Sequence, residues 1–167
     1  MKGQKALFSK ASDEWETPQW LFDLLNKEFH FDYDAAANEY NTKCGDNWLQ
    51  NALNDPWMKW GGKLFWLNPP YSKISAFMKK AYEESLKGAV VVCLIPCRTD
   101  TYYWHDYVMK AQEIRFINGR LIFGRPKKHL FDTETSCAPF PSCIVIFNRS
   151  LQRDVPQIGE TINARLP

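Results

Sequence analysis

A chain of 167 residues has room for one domain with a sizeable core and little room for two. Its net charge of +2, with 24% charged residues, excludes binding of a polyanion by bulk charge, so any contact with nucleic acid must be a local patch. The five cysteines, Cys44, Cys93, Cys97, Cys137 and Cys143, are odd in number and include no Cys-x-x-Cys pair, and with three histidines they show no zinc-ligand spacing. They read as free or buried thiols of a reducing compartment. No stretch approaches the roughly 20 apolar residues of a membrane span and the N-terminus lacks a signal-peptide core, so a soluble cytoplasmic protein without a membrane partner is expected.

Residues 1–13 are polar and small and read as a flexible arm. "ETPQWLFDLLNKEF" predicts a helix with Thr17 as N-cap, Pro18 at its first position and Leu21, Leu24, Leu25 and Phe29 along one face. "FHFDYD" alternates as a short strand ending at Asp34. From Ala35 to Gly62 the turn residues predict a short helix and irregular structure. "KLFWL" is a buried strand running straight into Asn68. "ISAFMKKAYEESLKG" is an amphipathic helix with Ile74, Phe77, Met78, Ala81, Tyr82 and Leu86 on one face and Gly88 to close it. "AVVVCLIP" is continuously apolar, the mark of a strand covered on both faces. "DTYYWHDYVMK" reads as helical, "EIRFINGRLIFG" offers a hairpin at Asn118-Gly119, and "SCIVIFNRS" is a last strand before a tail over 150–167. This order predicts one α/β domain over 1–167, its sheet parallel at the centre and with antiparallel strands at one edge.

The stretch "WLNPPYSK" poses the functional question. Ligands of open α/β sheets sit beyond the carboxyl ends of the strands, and Asn68 directly follows one. Pro69 and Pro70 stiffen the backbone, free carbonyls from local bonding and present Asn68 and Tyr71 outward. An amide oxygen beside a carbonyl is a pair of acceptors suited to an amine with two hydrogens. Holding both hydrogens favours the pyramidal nitrogen that develops as an amine attacks an electrophile. A tyrosine ring beside them can stack on a planar group such as a flipped base.

In these residues the chain resembles the amino-group methyltransferases that use S-adenosylmethionine, whose motif is (D/N/S)-P-P-(Y/F/W). It is most similar in pattern to the compact DNA N-6-adenine-methyltransferase family of phages and prophages. The likeness runs from about Asp13 to Asn148, through "DEWETPQWLFDLLNKEF", "FDYDAAAN", "LFWLNPPYSK", "IPCRTDTYYWHDYV", "EIRFINGRLIFG" and "APFPSCIVIF". It implies a Rossmann-like methyltransferase fold, a mostly parallel mixed sheet with helices on both faces, and methyl transfer from S-adenosyl-L-methionine to adenine N6 in double-stranded DNA by base flipping. Asn68 and the Pro69 carbonyl would hold the amine, with Pro70 completing the loop and Tyr71 stacking on the base. Thr17 and Pro18 would lie against the methionine end of the cofactor, and Asp34, Ala35 and Ala36 would form its first-strand motif, the acid facing the amino group. The sulfonium is its own electrophile, so no metal is required.

The sequence departs from the wider pattern in two places. "AAAN" follows Asp34 where a glycine-rich turn is usual, and the interval to Asn68 is too short for two strand-helix units, so one is shrunken or missing. Asp46, Asn51 and Asp55 all remain candidates for the ribose contact, with Asp55 favoured. Beyond "VVVCLIP", Arg98 is placed to contact phosphate or cofactor, while Asp100 can cap a helix. Residues 123–142 form a loop that gathers Arg125, Lys127, Lys128 and His129, with Phe131 or Phe140 able to touch bases. This loop and "TDTYYWHDY" would replace a separate target-recognition domain. A monomer in the cytoplasm, that of the host if phage-encoded, is expected. A protein glutamine or RNA adenine acceptor, and a DNA-binding relative without catalysis, are the other readings.

Overall fold

Apolar runs too short for helices become the strands of this protein, and the amphipathic segments between them become helices. The computed structural model describes residues 15–39, 41–45, 47–124, 135–151 and 155–164. In chain order these contain α1 (Gln19–Phe29), β1 (Tyr33–Asp34), β2 (Leu64–Leu67), α2 (Ile74–Leu86), β3 (Val90–Pro96), α3 (Tyr102–Asp106), β4 (Glu113–Asn118), β5 (Ile122–Gly124), β6 (Thr135–Cys137), β7 (Ser142–Asn148), β8 (Gln157–Ile158) and β9 (Ile162–Asn163). The main sheet has the order β1-β2-β3-β7-β4-β8, with β9 also on β4. Strand β7 runs antiparallel to β3 and β4, and the other ladders of this sheet are parallel. The α/β architecture is the expected one, consistent with a Rossmann-like methyltransferase fold.

The two-residue period of β3 sorts the core. Val91, Cys93 and Ile95 pack with Phe77, Met78 and Ala81 of α2 and Tyr103 and Trp104 of α3; Val92 and Leu94 pack with Leu21, Phe22 and Leu25 of α1. Helices therefore cover both faces, and each such large side chain contributes about 1.5–3 kcal/mol on burial. All five cysteines are free, with Cys93 and Cys143 buried inside strands. Among the described residues no helix is long and apolar enough to cross a membrane.

The shortage between Asp34 and Asn68 is taken up at the β1 edge. In place of a further strand, residues 47–49 cover β1: the Asp34 N–H donates to the Asn47 carbonyl (3.0 Å) and the Leu49 N–H to the Asp34 carbonyl (3.3 Å). A single 3-10 turn, Trp57–Trp60, follows, anchored by the fully buried Trp57, whose Nε1–H donates to the Ala52 carbonyl at 2.7 Å.

Four local expectations are corrected. Helix α1 begins one residue late, with the Pro18 carbonyl accepting from Leu21 and Phe22, and Thr17 is buried beside an extended segment instead of capping. Phe22, not the exposed Leu24, joins Leu21 and Leu25 in the core. Residues Asn118-Gly119 do not close a hairpin: β4 pairs with β7 while β5 pairs with β6 in a separate ribbon. A two-residue type I′ turn needs positive φ at both positions, and only Gly119 has it. At α3 the N-cap is Thr101, not Asp100.

The C-terminal segment runs along the outer edge of β4 as β8 and β9, interrupted near Gly159. A Cβ at Gly159 would meet the Glu113 carboxylate and the Arg115 side chain, so a larger residue here would force those side chains to shift.

Candidate active site

Strands β1 and β2 lie side by side in parallel, so Asp34 and Asn68 leave the same edge of the sheet, Asp34 standing opposite Trp66. A small open cleft lies there, with Thr17, Asp34, Ala36, Lys43, Trp66 and Asn68 in its wall. Thr17, Asp34, Ala36 and Asn68 thus come together from three distant parts of the chain. Ala36 and its neighbour Ala37 reach this wall, so small side chains take the place of the missing glycines.

Asp34 is 4% exposed. Its Oδ1 accepts the Ala36 N–H at 3.4 Å and its Oδ2 the Lys43 N–H at 3.1 Å. Burial pushes its carboxyl up to about 7, and these backbone donors and the Lys43 charge only partly oppose the rise. The Lys43 ammonium is committed elsewhere, to Glu16 Oε1 at 2.7 Å and Gln19 Oε1 at 3.2 Å. A buried carboxylate short of positive charge is a fit for a cationic ligand group.

Asn68 is held from across the sequence. Its Nδ2–H donates to the Trp15 carbonyl at 2.6 Å, and because a carbonyl only accepts, the contact fixes which end of the amide is oxygen. Asn68 Oδ1 is buried and has no hydrogen-bond partner among the described residues, as is also true of Ser142 Oγ. An orphaned buried acceptor needs a reason, and a ligand amine supplies one.

The segment that holds Asn68 is not among the site residues expected from the sequence. Glu16 forms an isolated antiparallel bridge with Gly124, exchanging two backbone hydrogen bonds of 2.9 and 3.1 Å, while the Trp15 ring packs on Phe123 of β5 at 5.8 Å. One short segment therefore joins the β5–β6 ribbon, the Lys43–Glu16 pair and the Asn68 amide. Its sequence signal is no more than a Trp-Glu-Thr run beside a proline.

Of the other expected site residues, Pro18 caps α1 and Ala35 is fully buried beneath the cleft. Asp55 forms an ion pair with Lys59 at 2.7 Å on the 3-10 turn and does not line the cleft. Pro69 is buried, and Pro70 precedes a 3-10 turn, Tyr71–Lys73, its carbonyl accepting the Lys73 N–H at 2.9 Å. The Pro70 carbonyl is thus locally bonded, contrary to the expectation for both prolines. Tyr71 meets Phe140 in a T-shaped contact of 5.1 Å, and Arg98 lies over the Phe140 ring at 5.6 Å. Asp46, Arg125, Lys127, Lys128, His129 and Phe131 lie outside the described residues. Among the described residues no group of three His, Cys, Asp or Glu is placed to hold a metal ion.

Comparison with known proteins finds relatives of one kind. The family model for DNA N-6-adenine-methyltransferase (Dam) matches residues 4–165. The chain is 36% identical over 121 residues to a DNA N-6-adenine-methyltransferase of Haemophilus phage HP1, covering 69% of each. It is 35% identical over 112 residues to a DNA N-6-adenine-methyltransferase of Escherichia phage T1, covering 65% of this chain and 46% of that relative.

Proposed function

Because this chain belongs to the DNA N-6-adenine-methyltransferase family, we propose that it transfers a methyl group from S-adenosylmethionine to the N6 amine of adenine in duplex DNA, with the base turned out of the helix. The observation that carries the reading is the Asn68 amide. Its nitrogen is tied to the Trp15 carbonyl, which leaves its unpartnered oxygen as a fixed acceptor at the ligand edge of β2. An amine with two hydrogens is its complement, and fixing the acceptor before the reaction spares reorganisation as the nitrogen becomes pyramidal. Pro69 and Pro70 keep it from swinging away.

S-adenosylmethionine, when bound, supplies an electrophilic methyl group on its sulfonium. Asp34 would take its ammonium group, with Thr17, Ala36 and Ala37 lining the same wall. Tyr71 would stack on the extruded adenine, a contact that a base still stacked within the duplex could not make. Arg98 would contact phosphate, and the loop carrying Arg125, Lys127 and Lys128 would add a local positive patch to a chain whose net charge is only +2. Asp55, paired with Lys59 and away from this wall, is a weaker candidate for the ribose than the sequence suggested. The protein would act as a monomer in the cytoplasm of the cell that holds the DNA.

The test is transfer of labelled methyl to unmethylated duplex DNA, RNA and protein, by the wild type and Asn68→Ala, with the products digested and separated. Label in N6-methyladenine of DNA, lost in the variant, supports the reading. Label only in RNA or protein moves the acceptor, and none anywhere, without cofactor binding, leaves a DNA-binding relative.

A further inference from the structure

Tyr71 is half-buried and lies on one turn of 3-10 helix, so its own backbone does not fix the direction of its ring. A neighbour that does is Phe140, from the turn between β6 and β7. The two rings lie 5.1 Å apart at 79°, within the favourable edge-to-face range. An edge-to-face contact sets the plane of a ring as well as its position.

Phe140 is itself unusually constrained. It stands in a bend between two prolines, Pro139 and Pro141, which fix their own φ, and Pro141 restricts the backbone of Phe140 as well. The turn is pinned on both sides, by the Ala138 N–H on the Leu121 carbonyl at 2.8 Å and by the Cys97 N–H on the Pro141 carbonyl at 2.9 Å. The Arg98 guanidinium centre lies 5.6 Å from the ring centroid, a cation–π distance, and its backbone is fixed in turn by the bond from its N–H to the Pro96 carbonyl. Phe140 packs on the core at the α1 side yet remains partly exposed, so the turn that covers the core also presents this ring to Tyr71 and Arg98.

We infer that Phe140 is a positioning residue for the target base: braced by Arg98, it sets the plane of the Tyr71 ring on which the extruded adenine stacks. This role rests on the proposed reaction. It differs from direct base contact because Phe140 acts through Tyr71. Its effect must therefore vanish when Tyr71 is absent.

The experiment is a double-mutant cycle on kcat/KM for methyl transfer to unmethylated duplex DNA, using Tyr71→Ala, Phe140→Leu and the pair, with Phe140→Tyr as the ring-keeping variant. S-adenosylmethionine binding by calorimetry is followed in every variant as a check that the domain is folded and its cofactor cleft intact. A lost edge-to-face contact predicts about a five- to tenfold fall for Phe140→Leu, mostly recovered in Phe140→Tyr, with cofactor affinity unchanged. The double variant should be no worse than Tyr71→Ala alone. Multiplying losses, or full activity of Phe140→Leu, overturn the role while leaving the reaction standing. A wild type that binds the cofactor but methylates no DNA overturns the reaction and this role together.

Discussion

The Trp15 carbonyl accepts a 2.6 Å hydrogen bond from Asn68 Nδ2 across 53 positions of sequence, a contact that asks for a donor at position 68. The wider motif admits aspartate there. In this chain the substitution Asn68→Asp would set a carboxylate oxygen against the carbonyl oxygen. It is therefore expected to lower methyl transfer roughly 10- to 100-fold, the cost of one buried polar contact turned repulsive. Activity relative to wild type should recover as pH falls, because a protonated carboxyl donates to Trp15 where the amide did. A pH profile of kcat/KM for the two proteins checks this; equal activity at about pH 8, where a carboxylate is ionised, would show that the contact is dispensable.

Asp34 gives a second pH dependence. Its folded-state value is raised to about 7 from 3.8, so the folded protein holds the proton more tightly than the unfolded chain. The contribution to stability is full below about pH 4 and is lost as pH rises through about 7. A ligand ammonium reverses the preference by favouring the carboxylate. S-adenosylmethionine affinity should thus rise about tenfold per pH unit up to about pH 7 and then level, with a proton released on binding. Calorimetry in buffers of different ionisation enthalpy reads both, and Asp34→Asn should abolish the slope along with most of the affinity.

Why Asn68 and Asp34 were legible while their support was not follows from the range of the interactions. Asp34 ends a strand and Asn68 directly follows one, and strand period and sheet topology are local or short-range signals that put such residues at the ligand edge. Trp15 reaches Asn68 and Glu16 reaches Lys43 and Gly124 through contacts that no periodicity encodes. The misread hairpin has the same origin. Asn118-Gly119 carries a strong local turn signal, but long-range pairing of β4 with β7 overrides it, and Gly119 alone adopts the positive φ. Glu84 stands on the buried face of α2, seven positions after Phe77 and three after Ala81, so its place was legible by periodicity; the partners that hold a carboxylate there were not, among them the Trp57 N–H, 27 positions away.

Ser142 opens β7, is 3% exposed, and its Oγ has no hydrogen-bond partner among the described residues. A hydroxyl buried without a partner forfeits its hydration and gains nothing in return. Ser142→Ala should leave the free protein unchanged or more stable by up to about 1 kcal/mol. Urea denaturation measures this directly. A loss above about 1 kcal/mol would mean that the hydroxyl is bonded in solution.

Glu84 is fully buried on α2, where one carboxylate gathers Lys80 at 2.9 Å, Lys87 at 2.8 Å and the Trp57 N–H at 3.2 Å. It ties α2, which follows the Asn68–Tyr71 loop, to the 3-10 turn Trp57–Trp60. Burial pushes its carboxyl up, but the hydrogen bonds from Lys87, Lys80 and Trp57 outweigh this and hold it below the ordinary value. Because the folded value is lowered, the stabilisation is present above the unfolded value of 4.5 and is lost as pH falls through the folded one. Glu84→Gln should cost about 2–3 kcal/mol at neutral pH, less than a wholly enclosed ion pair because Lys87 is half exposed. That corresponds to a fall in melting temperature of about 5–10 °C for a chain of this size. The gap between variant and wild type should narrow as pH falls from 4.5 through the lower folded value, so parallel melting curves at neutral and acid pH separate this carboxylate from a purely steric effect, which would be the same at both.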